Sequence, residues 1–508
     1  MLKLLIANRG EIAVRIIRAA REMGIRTVAV YSDADKDSVH SGMADEAVYL
    51  GGSAPSESYL AVDKVIAAAK ETRADAIHPG YGFLSERPEL SEACATTGVL
   101  FVGPSAHAMR LLGSKSSAKT LAAKEGVPIV PGLFTEGATP SELSRAAEEI
   151  GYPVLLKASA GGGGRGMREV RDPSTFADDL SIAVDEALKA FGDGSMMVEK
   201  LVDRPRHVEV QILADGFGNV ACLFERECSL QRRHQKLVEE SPSPYLVTNL
   251  PMWEEMQKAA RQLALASGYV GAGTVEFMVD EPAGKFYFLE VNTRLQVEHP
   301  VTEAITGLDL VKWQLRIASG ETLSLDADLM SGERRAIVGH SIEARVVAED
   351  PAAGFMPSTG KIVAWAEPKA PGIRVDTGFG PGAEVSRFYD SLIAKVIAHG
   401  ETRLEAITRL RSALLDFHIL GASTNIGYLI DVLSHPDFIV GRIDTGFLSR
   451  EFHDWRPIGI PPELGSIAGC ANAGERPQSS ASEADRVWSG SDGFRNARSA
   501  FQDTSATA

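Results

Sequence analysis

Apolar positions change period repeatedly along the first hundred residues. A short continuous run, Leu4–Ala7, reads as a buried strand. Residues 11–23 then carry Ile12, Ile16, Ile17, Ala20 and Met23 on one helical stripe, closed by Gly24. Thr27–Tyr31 is again β-rich, so residues 2–31 predict a βαβ unit. An amphipathic helix over Val62–Glu71 and strands at Ala76–His78 and Val99–Val102 continue the alternation. Such alternation predicts a parallel sheet with helices on its faces.

Further on, Ser116–Glu125 is helical and linker-like, ending at Val127-Pro128 and Pro131-Gly132. A small unit follows, with strands Val154–Lys157, Met167–Val170 and Met196–Lys200 and a helix near Thr175–Phe191. A larger one opens with the alternating strand His207–Leu213. It continues through a hairpin within Thr274–Asn292, helix Leu308–Ala318, and strands near Gly339–Val347, Gly360–Trp365 and Leu392–Ile397. The expected organisation is an N-terminal domain 1–113, a helical linker 114–130, a small unit 131–204, a core unit 205–330 and a C-terminal domain 331–446. Residues 459–508, rich in Pro, Gly, Ser, Ala and Asp with little periodicity, read as a mostly disordered tail or linker.

The 508 residues suffice for about three domains and a large core. Subtracting 68 acidic from 52 basic residues leaves a net charge of −16, unsuited to duplex nucleic acid. Four cysteines (Cys94, Cys222, Cys228, Cys470) form no CxxC pair, which argues against a zinc site or disulfide framework and for a reducing compartment. No run approaches the ~20 apolar residues of a membrane span, and Asn8 and Arg9 interrupt the opening apolar stretch too early for a signal peptide.

Four consecutive glycines lie in Ala160-Gly161-Gly162-Gly163-Gly164-Arg165-Gly166. The run satisfies G-x-G-x-x-G, but two strands flank it rather than a strand and a helix, so a dinucleotide-binding reading fails. A glycine hairpin without Cβ atoms is instead suited to closing over triphosphate oxygens, and is otherwise a plain flexible turn. Lys157 lies inside an apolar strand, which is costly unless an anion pairs it. Glu199-Lys200 ends the next strand, where polar groups can meet an adenine edge or ribose.

Acidic residues also interrupt both strands of the hairpin. Closing it with Asp280 opposite Phe286 puts Glu276 opposite Glu290, with Asn292 two residues on and on the same face. Two like charges facing each other call for a cation, and magnesium held by carboxylates and substrate phosphates is the natural one. Downstream, Arg294, Gln296 and Glu298 alternate, so an extended segment points all three one way. Together a guanidinium, an amide and a carboxylate can bind and deprotonate a small oxyanion. The basic cluster Arg232-Arg233-His234-Gln235-Lys236 reads either as a surface loop or as an anion site for bicarbonate or phosphate.

In this order, these segments resemble the biotin carboxylase branch of the ATP-grasp superfamily. The resemblance rests on Ile6-Ala-Asn-Arg-Gly-Glu-Ile-Ala, His78-Pro-Gly-Tyr-Gly-Phe-Leu-Ser-Glu, Lys157 through Met167, Glu225 through Lys236, Glu290 through Glu303, and Tyr389-Asp-Ser-Leu-Ile-Ala-Lys. It covers residue 1 to about 450, nearly nine-tenths of the chain. It implies a mixed α/β and α+β fold: an N-terminal Rossmann-like parallel sheet, a small mobile lid domain and a larger ATP-grasp domain with an antiparallel sheet.

By position, the resemblance assigns nucleotide contacts to Lys115, Lys157, Glu199, His207, Gln231, His234 and Glu276. Gly162, Gly163, Gly164 and Gly166 would form the lid, and Lys200 and Leu201 would offer backbone to the adenine. Glu276 and Glu290, with Asn292 nearby, match ligands of magnesium or manganese, two ions being expected. Lys236, Arg294, Gln296, Val297 and Glu298 match a bicarbonate pocket, and Arg345 an arginine beside biotin. In the family mechanism Glu298 deprotonates bicarbonate, which attacks the γ-phosphate of ATP to give carboxyphosphate. Arg294 orients the bicarbonate, and Arg345 steadies the biotin enolate. Expected partners are a biotin carrier or biotinyl domain, a carboxyltransferase subunit and further copies of the chain. The expected location is the cytoplasm, with the mitochondrial matrix as alternative.

Residues 486–495 look like the stretch that follows the carboxylase domain in acyl-CoA carboxylase α-chains. No Met-Lys-Met biotin-acceptor turn occurs, so an α-chain cut short, or one with a separate biotin carrier, is expected. Another ATP-grasp ligase would share the Lys157, Glu276 and Glu290 logic but not the Arg294–Glu298 run. A non-catalytic scaffold subunit would have lost Lys236, Arg294 or Glu298, and all three are present.

Overall fold

The computed structural model describes residues 1–457 apart from Glu136, residues 160–165 and His234. Gly162, Gly163, Gly164, His234 and the tail 459–508 therefore lie outside the described residues. No helix among the described residues is long and apolar enough to cross a membrane.

At the N-terminus, five parallel strands line up in the order Glu46–Gly51, Arg26–Ser32, Lys3–Ile6, Ala76–His78, Leu100–Phe101. Helix Gly10–Glu22 buries the Ile12, Ile16 and Ile17 stripe against this sheet, as its spacing predicts. Asn8 and Arg9 follow the first strand directly, so the carboxyl end of the sheet delivers them to a cleft. Gly378 closes on that turn: a Cβ there would lie 2.5 Å from the Gly10 carbonyl carbon.

Four antiparallel strands build the small unit, ordered Gly132–Leu133, Met196–Lys200, Val154–Ala158, Met167–Val170. Two helices, Pro140–Ile150 and Phe176–Phe191, cover one face, burying Leu143, Ala147, Leu180 and Ala183 on Val154, Leu156 and Val198. The alternate residues Leu155, Lys157, Met197 and Glu199 line a cavity on the other face. Gly166 sits at φ +71°, and a Cβ there would meet the Ala158 Cβ at 2.8 Å, so this position tolerates little else.

An eight-stranded sheet carries the rest. Its order is Lys285–Asn292, Gly271–Asp280, Arg206–Ala214, Val220–Arg232, Gln235–Ser241, His340–Val347, Leu392–Gly400, Ile373–Thr377. Val238–Ser241 pair with Ser341–Ala344, so segments 205–330 and 331–446 share one hydrogen-bonded ladder. Residues 1–455 form one compact unit.

Strand Val220–Arg232 is not among the strands expected from the sequence, where the basic cluster at its end reads either as a surface loop or as an anion site. Its polar residues hide it: Glu225, Arg226 and Glu227 are all buried. Each is paired inside the protein, Arg226 with Glu209, Glu227 with Arg206 and Glu225 with Arg334.

Candidate active site

Two cavities, each of about 670 Å³, meet in the cleft. The first is lined by Lys236, Arg294, Gln296, Val297 and Arg345, with Asn8, Arg9, Tyr81 and Tyr389 on its walls. The second is lined by Lys115, Lys157, Glu199, Lys200, Leu201 and Gln231. His207, Glu276 and Glu290 line both. The described residues assigned above to the nucleotide and to bicarbonate or biotin thus divide between two chambers with a shared wall, except Glu298, which lines neither.

Glu276 and Glu290 are cross-strand partners, as expected, but by a different register. Asp280 pairs with Lys285, not Phe286, and a β-bulge between Glu276 and Phe277 restores the alignment. Glu276 accepts from His207 Nε2 at 2.9 Å, Lys236 Nζ at 2.9 Å, Asn292 Nδ2 at 2.8 Å and Gln296 Nε2 at 3.2 Å. Burial alone would raise its pKa, but Lys236 and His207 outweigh that and hold the carboxyl well below the usual range. Glu290 shifts the opposite way, because burial and the charge of Glu276 both oppose its ionisation. A carboxyl held back in this way, beside an ionised one and the amide of Asn292, fits an all-oxygen ligand set for a hard divalent cation.

The Arg294, Gln296 and Glu298 side chains converge, although the segment is not extended throughout. Val297 and Glu298 turn, and Glu298 precedes helix His299–Thr306. Arg294 donates to Gln296 Oε1 at 2.9 Å and Asn292 Oδ1 at 3.0 Å. Its Nε donates to Glu86 Oε2 at 2.9 Å, a partner the sequence reading missed. Val297 gives its carbonyl to Lys395 Nζ at 2.7 Å.

Glu298 is fully buried. Lys236 Nζ reaches one oxygen at 2.7 Å and Arg345 Nη2 the other at 2.9 Å. Burial favours the neutral acid, yet these cations hold Glu298 well below the carboxylate range. Lys236 also donates to Glu209 at 2.6 Å, and burial's downward pull on it is outweighed by the surrounding carboxylates, which keep it firmly charged. Behind Arg345, Glu239 accepts from Arg345 Nε at 2.6 Å. Burial, only partly offset by Arg345, pushes Glu239 up to about 7.

Lys157 has its anion within the protein, forming an ion pair with Glu199. A second lysine absent from the sequence reading, Lys119, holds the other Glu199 oxygen at 2.9 Å. Lys200 Nζ donates to the carbonyls of Gly151 and Tyr152, and the Leu201 N–H to that of Pro153. In the basic cluster Arg232 pairs with Glu349 at 3.1 Å and covers the Phe355 ring, while Lys236 reaches Glu209, Glu276 and Glu298.

Comparison with known proteins bears on the whole described chain. Residues 1–109 match the biotin carboxylase N-terminal domain, 114–326 the carbamoyl-phosphate synthase L chain ATP-binding domain, and 343–450 the biotin carboxylase C-terminal domain. Biotin carboxylase 1 of Bacillus subtilis is 50% identical over 88% of this chain and 98% of its own. The mitochondrial methylcrotonoyl-CoA carboxylase subunit alpha of Mus musculus is 48% identical over 90% of this chain, but that match spans only 62% of the mouse protein. Among solved structures, a Campylobacter jejuni biotin carboxylase in a β,γ-ATP complex superposes with a TM-score of 0.83 at 43% identity, covering 88% of this chain and 98% of that one. The biotin carboxylase domain dimer of Hydrogenobacter thermophilus 2-oxoglutarate carboxylase, in complex with MgADP, ADP and bicarbonate, gives 0.84 at 45% identity, covering 90% and 99%.

Proposed function

The chain belongs to the biotin carboxylase family, and from that premise we propose that it carboxylates the ureido nitrogen of carrier-borne biotin, using ATP and bicarbonate. One observation carries the reading. The residues suited to a nucleotide and those suited to a small oxyanion line two cavities that share His207, Glu276 and Glu290. A phosphoryl group at that wall is within reach of an oxyanion bound beyond it.

ATP occupies the second cavity, its phosphates toward Lys115 and Lys157 and its base near Lys200 and Leu201. Glu276 and Glu290, with Asn292, hold magnesium or manganese, which when bound neutralises phosphate charge. Arg294 and Gln296 orient bicarbonate from the first cavity. Glu298 becomes an available base only when the incoming anion draws Arg345 or Lys236 off its carboxylate, because both oxygens are otherwise engaged. Arg345, at the cavity wall, then has its charge free for the oxygen of a biotin enolate.

The finer assignments follow from this reading. The biotin arrives on a carrier protein or biotinyl domain, a carboxyltransferase takes the carboxyl group onward, and the chain works as a homo-oligomer. Cys94, Cys222 and Cys228 are buried and unpaired, in keeping with a reducing compartment such as the cytoplasm. The mouse relative's mitochondrial location supports the matrix as a second reading.

The test is phosphate release from Mg-ATP by the purified chain, with and without bicarbonate and free biotin. Release that requires bicarbonate and rises with biotin is expected. Release indifferent to both would overturn the reading.

A further inference from the structure

Glu199 is buried at the end of strand Met196–Lys200 and carries two lysines, one on each oxygen. The two lysines are not equivalent. Lys157 lies on the cavity face of the small sheet with a fifth of its side chain (21%) exposed, whereas Lys119 is 9% exposed. Lys119 projects from helix Lys115–Lys124, one turn after Lys115 and on the same face. Its ammonium also lies 3.7 Å from the centroid of the Phe134 ring, which fixes it from a second side. Burial pulls the Lys119 ammonium below the ordinary lysine range, and the nearby Lys157 charge adds to that pull against Glu199.

Charge arithmetic makes this arrangement a problem for nucleotide binding. An ammonium drawn toward the phosphates shares its charge with them, so Lys157 engaging a nucleotide weakens its hold on Glu199. A buried carboxylate that loses its last cation is strongly disfavoured, so with a single lysine the carboxylate would compete with the nucleotide. With two lysines it need not.

We propose that Lys119 is a positioning residue that keeps Glu199 neutralised while Lys157 is handed from the carboxylate to the phosphates of the bound nucleotide. Lys119 touches no phosphate in this scheme. It acts through Glu199 and sets how strongly the site prefers a charged nucleotide to its uncharged nucleoside. The inference rests on the second cavity being the nucleotide site.

The experiment is calorimetric titration of the full chain with ATP and, separately, with adenosine. If the unsubstituted chain binds ATP no better than adenosine, the nucleotide reading itself fails. Given a clear preference there, Lys119→Met is expected to cut the ATP-to-adenosine affinity ratio by about tenfold, the worth of one charge-assisted hydrogen bond. Lys119→Arg is expected to preserve the ratio. The double variant Lys119→Met/Glu199→Gln is expected to recover it relative to Lys119→Met, because no carboxylate then competes for Lys157. An unchanged ratio in Lys119→Met, or an equal loss of both ligands without recovery in the double variant, overturns the proposal.

Discussion

Glu276 and Glu290 face each other across adjacent antiparallel strands although the pairing nearer the turn runs one residue out of step. The bulge that corrects the step sets the two carboxyls side by side, one ionised and one held back from ionising. Chelation of divalent ions is therefore expected to abolish ATP-dependent phosphate release, with recovery on adding magnesium. Glu290→Gln should raise the magnesium concentration needed for half-maximal rate by about tenfold or more. Because the Glu290 pKa is raised, a proton competes with the metal, and magnesium affinity should weaken as pH falls. A magnesium titration at several pH values checks both.

Glu298→Gln keeps the shape of the side chain but removes its capacity to take a proton. Biotin-dependent phosphate release should fall by about 10²- to 10⁴-fold, while ATP binding measured by titration stays close to that of the unsubstituted chain. Undiminished turnover would remove Glu298 as the base.

Glu86 holds the Nε of Arg294 and the backbone N–H of Thr293, at 2.9 and 3.1 Å. Glu86→Gln keeps the size and gives up the charge that aligns the guanidinium. The expected result is a rise in the bicarbonate KM of about tenfold with a smaller change in kcat, read from steady-state kinetics at saturating ATP.

Stability should depend on pH with opposite signs at neighbouring residues. Glu239 is pushed up to about 7 from an ordinary 4.5, so between those values the folded chain holds a proton that the unfolded chain has released. Its contribution falls as pH rises through that window, by up to about 3 kcal/mol, and Glu239→Gln should flatten the slope. Glu240 behaves in reverse. Burial opposes its charge, but Arg403 and His340 hold it at about 2, so its contribution is present above 4.5 and is lost as pH falls toward 2.

Removing the cation from that second pair gives a sharper test. Arg403 donates to both Glu240 oxygens, at 2.6 and 2.9 Å, inside the protein. Arg403→Met should cost up to about 3–5 kcal/mol at pH 7, where only the His340 contact is left to the buried carboxylate. The cost should shrink at pH 4, where Glu240 can take up a proton. Urea midpoints at the two pH values decide it.

Much of the site was legible because its chemistry is written locally. The Glu276 and Glu290 hairpin and the Arg294–Glu298 segment each place their polar groups within a few residues, and the structure brings those groups together, whereas residues 160–165 of the glycine run lie outside the described residues. Even there, the hairpin register was right at the carboxylates and wrong at the turn, since a bulge leaves no mark in an apolar alternation. Residues that act across the fold were not legible. Glu86 meets Arg294 from 208 positions away, and although it closes the segment His78–Glu86 that carries part of the resemblance, nothing in that segment names its partner. Lys119 left one trace, its spacing of four from Lys115 on a helix. Strand Val220–Arg232 was obscured because its Glu-Arg-Glu core breaks the apolar pattern of a buried strand and is neutralised by ion pairs made in three dimensions.

The shared wall of His207, Glu276 and Glu290 also bears on how the site can be blocked. Because those side chains line both chambers, one rigid molecule could reach from the first to the second. Such a ligand would forfeit its freedom of tumbling once while drawing contacts from both sides, so its affinity should approach the product of its halves. Its middle would need to be anionic and compact, to meet the cation proposed for the carboxylates and to pass His207. Neither chamber alone imposes that requirement.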